Sequence, residues 1–320
     1  MRVVITGATG FAGRHLASTC FREQVSALIG LGRRPAAEAD APPELGSYEA
    51  VDLTDAEQAV DVIRRTKPDR VFHLAAEASV ASSWSEPARL IVNNVSSTLN
   101  LLEAVRLHAP AARVLVACSG EEYGEPQWLP VTEDHPLNPV NPYAFSKASL
   151  DSASGFYADA YGLRVVRARA FNHAGPGQSD AYVVSSIARQ IAEAESLQES
   201  GTIEVAIGNV EVRRDFTDVR DVTCAYWLAL ERAEPGAYNI CSGRSVAISD
   251  ILTGLAGHSR LEVRPRTDPE RLRGRDVADI RGSHDRLTGA TDWRPEIPLE
   301  QTLRDALDWW RAQTRAGVAS

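Results

Sequence analysis

The stretch Asn141-Pro142-Tyr143-Ala144-Phe145-Ser146-Lys147 sets a phenol and a primary ammonium four residues apart. On a helix the two share one face. Pro142 suits a first helical turn, where its missing N–H leaves no bond unmade. A phenol beside an ammonium can donate and accept a proton, because the positive charge favours phenolate and lowers the tyrosine pKa from about 10. The same spacing also describes a solvated helix face. The chemistry therefore depends on what else the chain brings to Tyr143 and Lys147.

The elements that must position this pair begin at the N-terminus. Arg2 to Thr6 is a short apolar strand pattern running into Gly7-Ala8-Thr9-Gly10-Phe11-Ala12-Gly13, and His15 to Phe21 reads as the helix that follows. Strand, glycine turn and helix are the setting in which backbone N–H groups approach a pyrophosphate at a helix N-terminus. A second strand, Val25 to Leu31, ends in Gly32-Arg33-Arg34. An NAD site usually carries an acid about 20 residues past the glycines, for the ribose 2′-hydroxyl. Arg33 stands there instead, and a guanidinium suits a 2′-phosphate, so NADP(H) is expected over NAD(H).

Further strands are expected at Tyr48 to Leu53, ending in Asp52-Leu53, at Arg70 to Leu74 before Ala75-Ala76, at Arg113 to Ala117 and at Leu163 to Ala170. Thr54 is placed to cap the helix after the third strand. Leu90 to Leu107 reads as a long amphipathic helix. This alternation predicts an α/β fold: a Rossmann-type doubly wound parallel sheet over residues 1–171, with its ligand outside the strand C-termini. Ser119, Ala75 and Asn172 all fall at such ends. After Phe171 the rhythm changes, and 172–320 is expected to form a smaller C-terminal α/β substrate domain, with about 216–243 returning to the first sheet. Leu303, Leu307 and Trp310 mark the apolar face of a last helix.

Composition bounds the partners. Thirty-four basic and 43 acidic residues give a net charge of −9 without long runs of either sign, which argues against nucleic acid. No apolar run approaches the ~20 residues of a membrane span, and with a strand pattern from Arg2 no cleavable leader is expected. Cys20, Cys118, Cys224 and Cys241 are scattered, as expected of reduced thiols in the cytoplasm. No His/Asp/Glu set has metal-ligand spacing, so no metal is expected.

Taken together, Thr6 to Gly13, Asp52-Leu53, His73-Leu74-Ala75-Ala76, Ser119-Gly120-Glu121, Tyr143 to Lys147, Arg214-Asp215-Phe216-Thr217 and Trp293-Arg294-Pro295 resemble the extended short-chain dehydrogenase/reductases that modify nucleotide sugars. Phe171 to Gln178 is similar to the GDP-sugar branch. Phe11-Ala12-Gly13 and Gly175-Pro176-Gly177 are similar to its 4-keto reductases, where its dehydratases carry Gln-Asp-Gly and Ser-Pro-Arg-Arg. Gly120 stands where the family has Ser, implying a looser backbone, and Glu77 where Gln or Lys is commoner.

The resemblance implies that Tyr143 donates a proton to a sugar C4 oxygen as hydride arrives, with Lys147 lowering its pKa and holding the nicotinamide ribose. Ser119 would bond the same oxygen, and Glu121 would orient the sugar or remove a C5 proton. It assigns cofactor contacts to Gly7, Gly10, Phe11, Gly13, Arg33, Asp52, Leu53, Ala75, Ala76 and Lys147. Substrate contacts fall to Asn172, Arg189, Arg214, Arg273 and Asp276, the arginines facing the GDP phosphates. The expected reaction is NADPH-dependent 4-reduction of a GDP-4-keto-6-deoxyhexose, in a homodimer. A redox-neutral dehydratase, epimerase or other isomerase of GDP-sugars, and a non-catalytic NADP-sensing module, are the alternatives.

Overall fold

The computed structural model describes residues 1–78, 82–272 and 277–318. β1 (Arg2–Thr6) passes through the glycine turn into α1 (Phe11–Arg22). There follow β2 (Ala27–Gly32), β3 (Ser47–Ala50), α2 (Ala56–Thr66), β4 (Arg70–His73), α3 (Pro87–His108), β5 (Arg113–Ser119), α4 (Pro142–Tyr161) and β6 (Arg164–Ala170). The later chain forms β7 (Asn172–Ala174), α5 (Val183–Leu197), β8 (Thr202–Ile207), β9 (Arg213–Asp218), α6 (Val219–Arg232), β10 (Gly236–Ile240) and β11 (Ser245–Ala247). It closes with α7 (Ile248–Gly257), β12 (Glu262–Thr267), β13 (Asp279–Ile280), α8 (Asp285–Thr291) and α9 (Leu299–Val318).

Seven strands make one parallel sheet in the order β10-β6-β5-β4-β1-β2-β3. Alternation along β1 decides which face each side chain serves. Val3 and Ile5 join the core beneath α1, α6 and α8, and Val4 joins the one beneath α2, α3 and α4. The sheet is therefore doubly wound, and the strand order reverses between β1 and β4. In such sheets the ligand binds at that point, outside the strand C-termini.

Helix caps aim the chain around that point. Asn141 accepts the Ala144 N–H at the start of α4, Pro142 occupies its first turn, and Gly162 ends it in the left-handed region. α2 is capped by Asp55, not by Thr54. The expected cap fails because the Asp52 carboxylate takes both the N–H and the hydroxyl of Thr54, at 2.9 and 2.8 Å. That turn also stops β3 at Ala50, short of Asp52-Leu53.

The second body is organised on β9, which pairs with β7, β11 and β13, while β8 and β12 pair separately. α5, α7 and α9 cover it, with Leu303 and Leu307 buried and Trp310 packed against them. α6 and β10 belong to the first sheet. No described helix is long and apolar enough to cross a membrane.

Asp215 joins the two bodies. It is fully buried and accepts from the N–H and hydroxyl of Ser242, at 2.7 and 2.6 Å, and from the N–H groups of Gly243 and Gly282, at 3.1 and 3.2 Å. Truncation would orphan several buried donors at about 1–3 kcal/mol each. Asp215→Ala is therefore expected to cost about 3 kcal/mol or more, read as a lowered urea midpoint at unchanged slope. A loss under about 1 kcal/mol would contradict this account.

Candidate active site

The dinucleotide turn is built by close backbone approach. Gly7 has φ +69°, and a Cβ on it would press on the Ala75 amide across the switch point; a Cβ on Gly13 would overlap the Gly7 carbonyl oxygen. Gly10 caps α1 without a side-chain bond, and the first turn of α1 holds no acid. The helix N-terminus is thus left for an anion. Phe11 is half-buried there, Arg33 is exposed in the bend after β2, and Leu53 is buried with its carbonyl bonded by Asn100. Ala75 and Ala76 follow the C-terminal end of β4, beside the glycine turn.

A directed chain of hydrogen bonds runs from this turn to the Tyr143 helix. Thr98 donates its one hydroxyl proton to the Asn94 carbonyl, at 2.8 Å, so the Nε2 of His73, 3.0 Å away, is the donor to Thr98. Nδ1 of the neutral ring then accepts from Thr6, whose oxygen accepts the Ala75 N–H. Burial lowers the His73 pKa to about 3, in keeping with that neutral form. Asn94 donates onward to Ser146, and Ser146 to the Tyr143 carbonyl. Each member is buried or nearly so, and each is satisfied.

Ser119 ends β5, and its side chain lies near enough to the Tyr143 phenol to offset part of the upward push of burial on that group. Lys147 donates to the Ala117 carbonyl at 2.6 Å and lies 5.9 Å from the Tyr143 ring centre. The expected depression of the tyrosine pKa is overturned. Burial is the largest influence on both groups, pushing the Tyr143 phenol well above its ordinary value and the Lys147 ammonium below its own. Burial thus favours the neutral, protonated phenol at Tyr143. Glu121 is half-buried, and Asn141 donates to its carboxylate at 3.3 Å.

On the other wall, Asn172 lies in β7, and His173 stacks on Phe11 with ring centres 5.9 Å apart. Tyr182 escaped the sequence reading. Its hydroxyl donates to the Ala78 carbonyl at 3.3 Å, and it is near enough to Tyr143 to raise that phenol further. Only its place before α5, brought to the β4 side by the fold, marks it. Arg189 is paired with Asp180 and Glu193, at 3.1 and 2.7 Å. Arg214 is buried and donates to the carbonyls of Arg213 and Val277. Arg273 and Asp276 lie outside the described residues. Glu77 accepts from Arg89 and Asn93, at 3.0 and 3.1 Å.

Gly120 does not loosen the site, contrary to the expectation from its substitution for Ser. A Cβ there would meet the Phe171 ring at 2.9 Å, and one on Gly282 would meet the same ring at 2.7 Å. The two glycines clasp Phe171 in a small core with Tyr123, Val131, Cys241 and Ile280.

Comparison with known proteins places this geometry among nucleotide-sugar enzymes. A family model described as GDP-mannose 4,6 dehydratase matches residues 4–306. The chain is 36% identical over 317 residues to GDP-6-deoxy-D-mannose reductase of Pseudomonas aeruginosa, with 98% of each covered. Among solved structures it resembles RMD from Pseudomonas aeruginosa complexed with NADPH, with a TM-score of 0.82, 33% identity and 98% and 100% of the two chains covered. It also resembles UDP-glucose 4-epimerase from Thermotoga maritima with UDP-glucose, at a TM-score of 0.88, 27% identity and 98% and 99% coverage.

Restoring the family's side chain as Gly120→Ser is expected to destabilise the protein by about 1–3 kcal/mol through overpacking. Phe171→Leu in the same chain should recover part of that loss. Thermal unfolding of the three variants tests the clasp, and strict additivity of the two substitutions would refute it.

Proposed function

The chain belongs to the GDP-mannose 4,6-dehydratase family, and on that premise we propose that it reduces the C4 ketone of GDP-4-keto-6-deoxy-D-mannose with NADPH, forming GDP-D-rhamnose. The observation that carries this reading is the Tyr143 phenol, pushed towards its neutral form by burial and set beside Ser119 at the C-terminal end of β5. Residues 1–171 with α6 and β10 would hold the cofactor, and the rest the nucleotide sugar. The residues fit NADPH: the close-packed glycines let a pyrophosphate approach α1, and Arg33 stands exposed where a 2′-phosphate would lie. Gly7, Gly10, Phe11, Gly13, Asp52, Leu53, Ala75 and Ala76 complete that site.

When bound, NADPH supplies the hydride that is delivered to the sugar C4. Tyr143 gives its phenolic proton to the C4 oxygen, so that the ketone gains both parts of the alcohol C–H and O–H. Ser119 holds the same oxygen as negative charge grows on it. Lys147 stabilises the resulting phenolate until a proton returns from water. Asn172 and the arginines Arg214 and Arg273 are assigned to the nucleotide diphosphate. Arg189 is assigned there too, on the condition that phosphate displaces Asp180 or Glu193.

Glu121, oriented by Asn141, favours a second reading: a redox-neutral GDP-sugar enzyme in which this carboxylate takes a C5 proton. The two readings differ in stoichiometry. With the ketosugar supplied, the reductase consumes one NADPH per product and prefers NADPH to NADH by at least about tenfold in kcat/KM, a difference of about 1.4 kcal/mol. Tyr143→Phe should lower kcat by about 10²- to 10⁴-fold with cofactor affinity kept. Product from a GDP-hexose without added reductant would favour the second reading. Tight NADPH binding with no turnover across a GDP-sugar panel would leave only a cofactor-sensing role.

The same protein is read as a cytoplasmic homodimer. Its four cysteines are free. Val92 and Leu107 on α3, and Phe145, Phe156 and Tyr161 on α4, stand exposed along two helices that pack together. Such a face suits a second copy of itself. Light scattering on the eluting protein should give twice the chain mass, and Phe156→Glu should shift it towards monomer; a wild-type monomer at micromolar concentration would refute the assignment.

A further inference from the structure

Behind Ser119 lies a buried polar cluster that the chemistry above does not use. Cys118, Glu122 and Asp151 present ligand-type atoms within 4.8 Å of one another, but a guanidinium answers their charge. Arg169 forks onto Asp151 at 2.9 and 3.1 Å, and Arg167 reaches the same carboxylate at 3.0 Å. Arg169 is held in turn by the Tyr123 hydroxyl and the Glu133 carbonyl. Asp151 is thus fully matched.

Glu122 is not. One oxygen accepts the Ser119 N–H at 2.7 Å, while the Ser119 hydroxyl accepts the Glu121 N–H at 3.2 Å, closing a reciprocal cap on the 3-10 turn Gly120–Tyr123. The other oxygen is buried without a hydrogen-bond partner, its nearest Arg169 nitrogen 3.8 Å away. An apolar residue of similar size would spare the cost of burying that oxygen. What it could not do is bond the Ser119 backbone.

We propose that Glu122 is a positioning residue: its bond to the Ser119 N–H fixes the backbone from which the Ser119 hydroxyl meets Tyr143. This rests on the reading of Ser119 and Tyr143 as the proton-delivery pair. Burial raises the Glu122 pKa to about 8, which favours the neutral acid, with its carbonyl oxygen on the Ser119 N–H. Glutamine has the shape and acceptor of that form. Leucine keeps the volume and loses the acceptor.

Two variants therefore separate positioning from filling. In steady-state reduction of the ketosugar by NADPH, Glu122→Leu should lower kcat by about 10- to 100-fold, the scale of a misplacement near one ångström, with both KM values within about twofold. Glu122→Gln should stay within about threefold of wild type in kcat. The proposal is overturned if Glu122→Leu stays within about threefold, if Glu122→Gln falls as far as Glu122→Leu, or if the loss lies in KM. Should wild type itself fail to turn over, the functional reading fails on its own account. Crystal structures of wild type and Glu122→Leu then decide the positioning: a Ser119 hydroxyl displaced by about 1 Å supports it, and an unmoved one overturns it.

Discussion

Desolvation of one phenol and one ammonium is the constraint on which the rest of the molecule depends. Lys147 carries its ammonium to the end of β5, where the Ala117 carbonyl meets it at 2.6 Å. An ammonium survives such burial only if its position is held by rigid elements. α4 must therefore begin where Asn141 and Pro142 start it and lie against β5 and β6, as its contacts record. The same burial acts on Tyr143 in the opposite chemical sense, since each group is driven towards its neutral form. The pair is poised by low dielectric before any charge–charge effect is counted.

Rigidity comes from polar bonds with a fixed direction. The chain from the Ala75 N–H through Thr6, His73, Thr98, Asn94 and Ser146 to the Tyr143 carbonyl crosses β1, β4, α3 and α4. It works in one arrangement of protons, because Thr98 has only one hydrogen to give. A buried network in that condition resists displacement, since a shifted member leaves a donor or acceptor unpaired. The glycine turn and the tyrosine helix, distant in sequence, are thereby held as one unit.

The sheet was legible because strands buried on both faces read as short apolar runs between glycine turns, and helix starts carry their caps. Legibility failed where distant parts of the chain decide the outcome. Thr54 lost its cap role to a local competitor, Asp52. The looseness expected at Gly120 assumed empty space, and Phe171, folded back by β6, fills it. The sign of the Tyr143 shift was misread because spacing reports the neighbouring charge and not the burial around it. Arg189 satisfied the chemistry of phosphate contact, yet carboxylates at Asp180 and Glu193 compete for it. Tyr182 had no signal in its neighbours, whereas Ser119-Gly120-Glu121-Glu122 carries the S-x-x-E pattern of a reciprocal cap.

These features bear on the direction of proton flow. Tyrosine and lysine on one helix face serve either direction in principle, because a proton relay obeys microscopic reversibility. A phenol held neutral by burial favours donation: it enters the reaction with its proton, and the ammonium 5.9 Å from its ring acquires its full effect only once phenolate forms. Glu121 lies at the edge of this arrangement, half-buried and bonded by Asn141. A carboxylate so placed can orient a sugar hydroxyl by accepting its hydrogen bond. The phenol that enters with its proton is therefore the feature on which the proposed reduction at C4 rests, and Glu121 is the group on which the redox-neutral alternative turns.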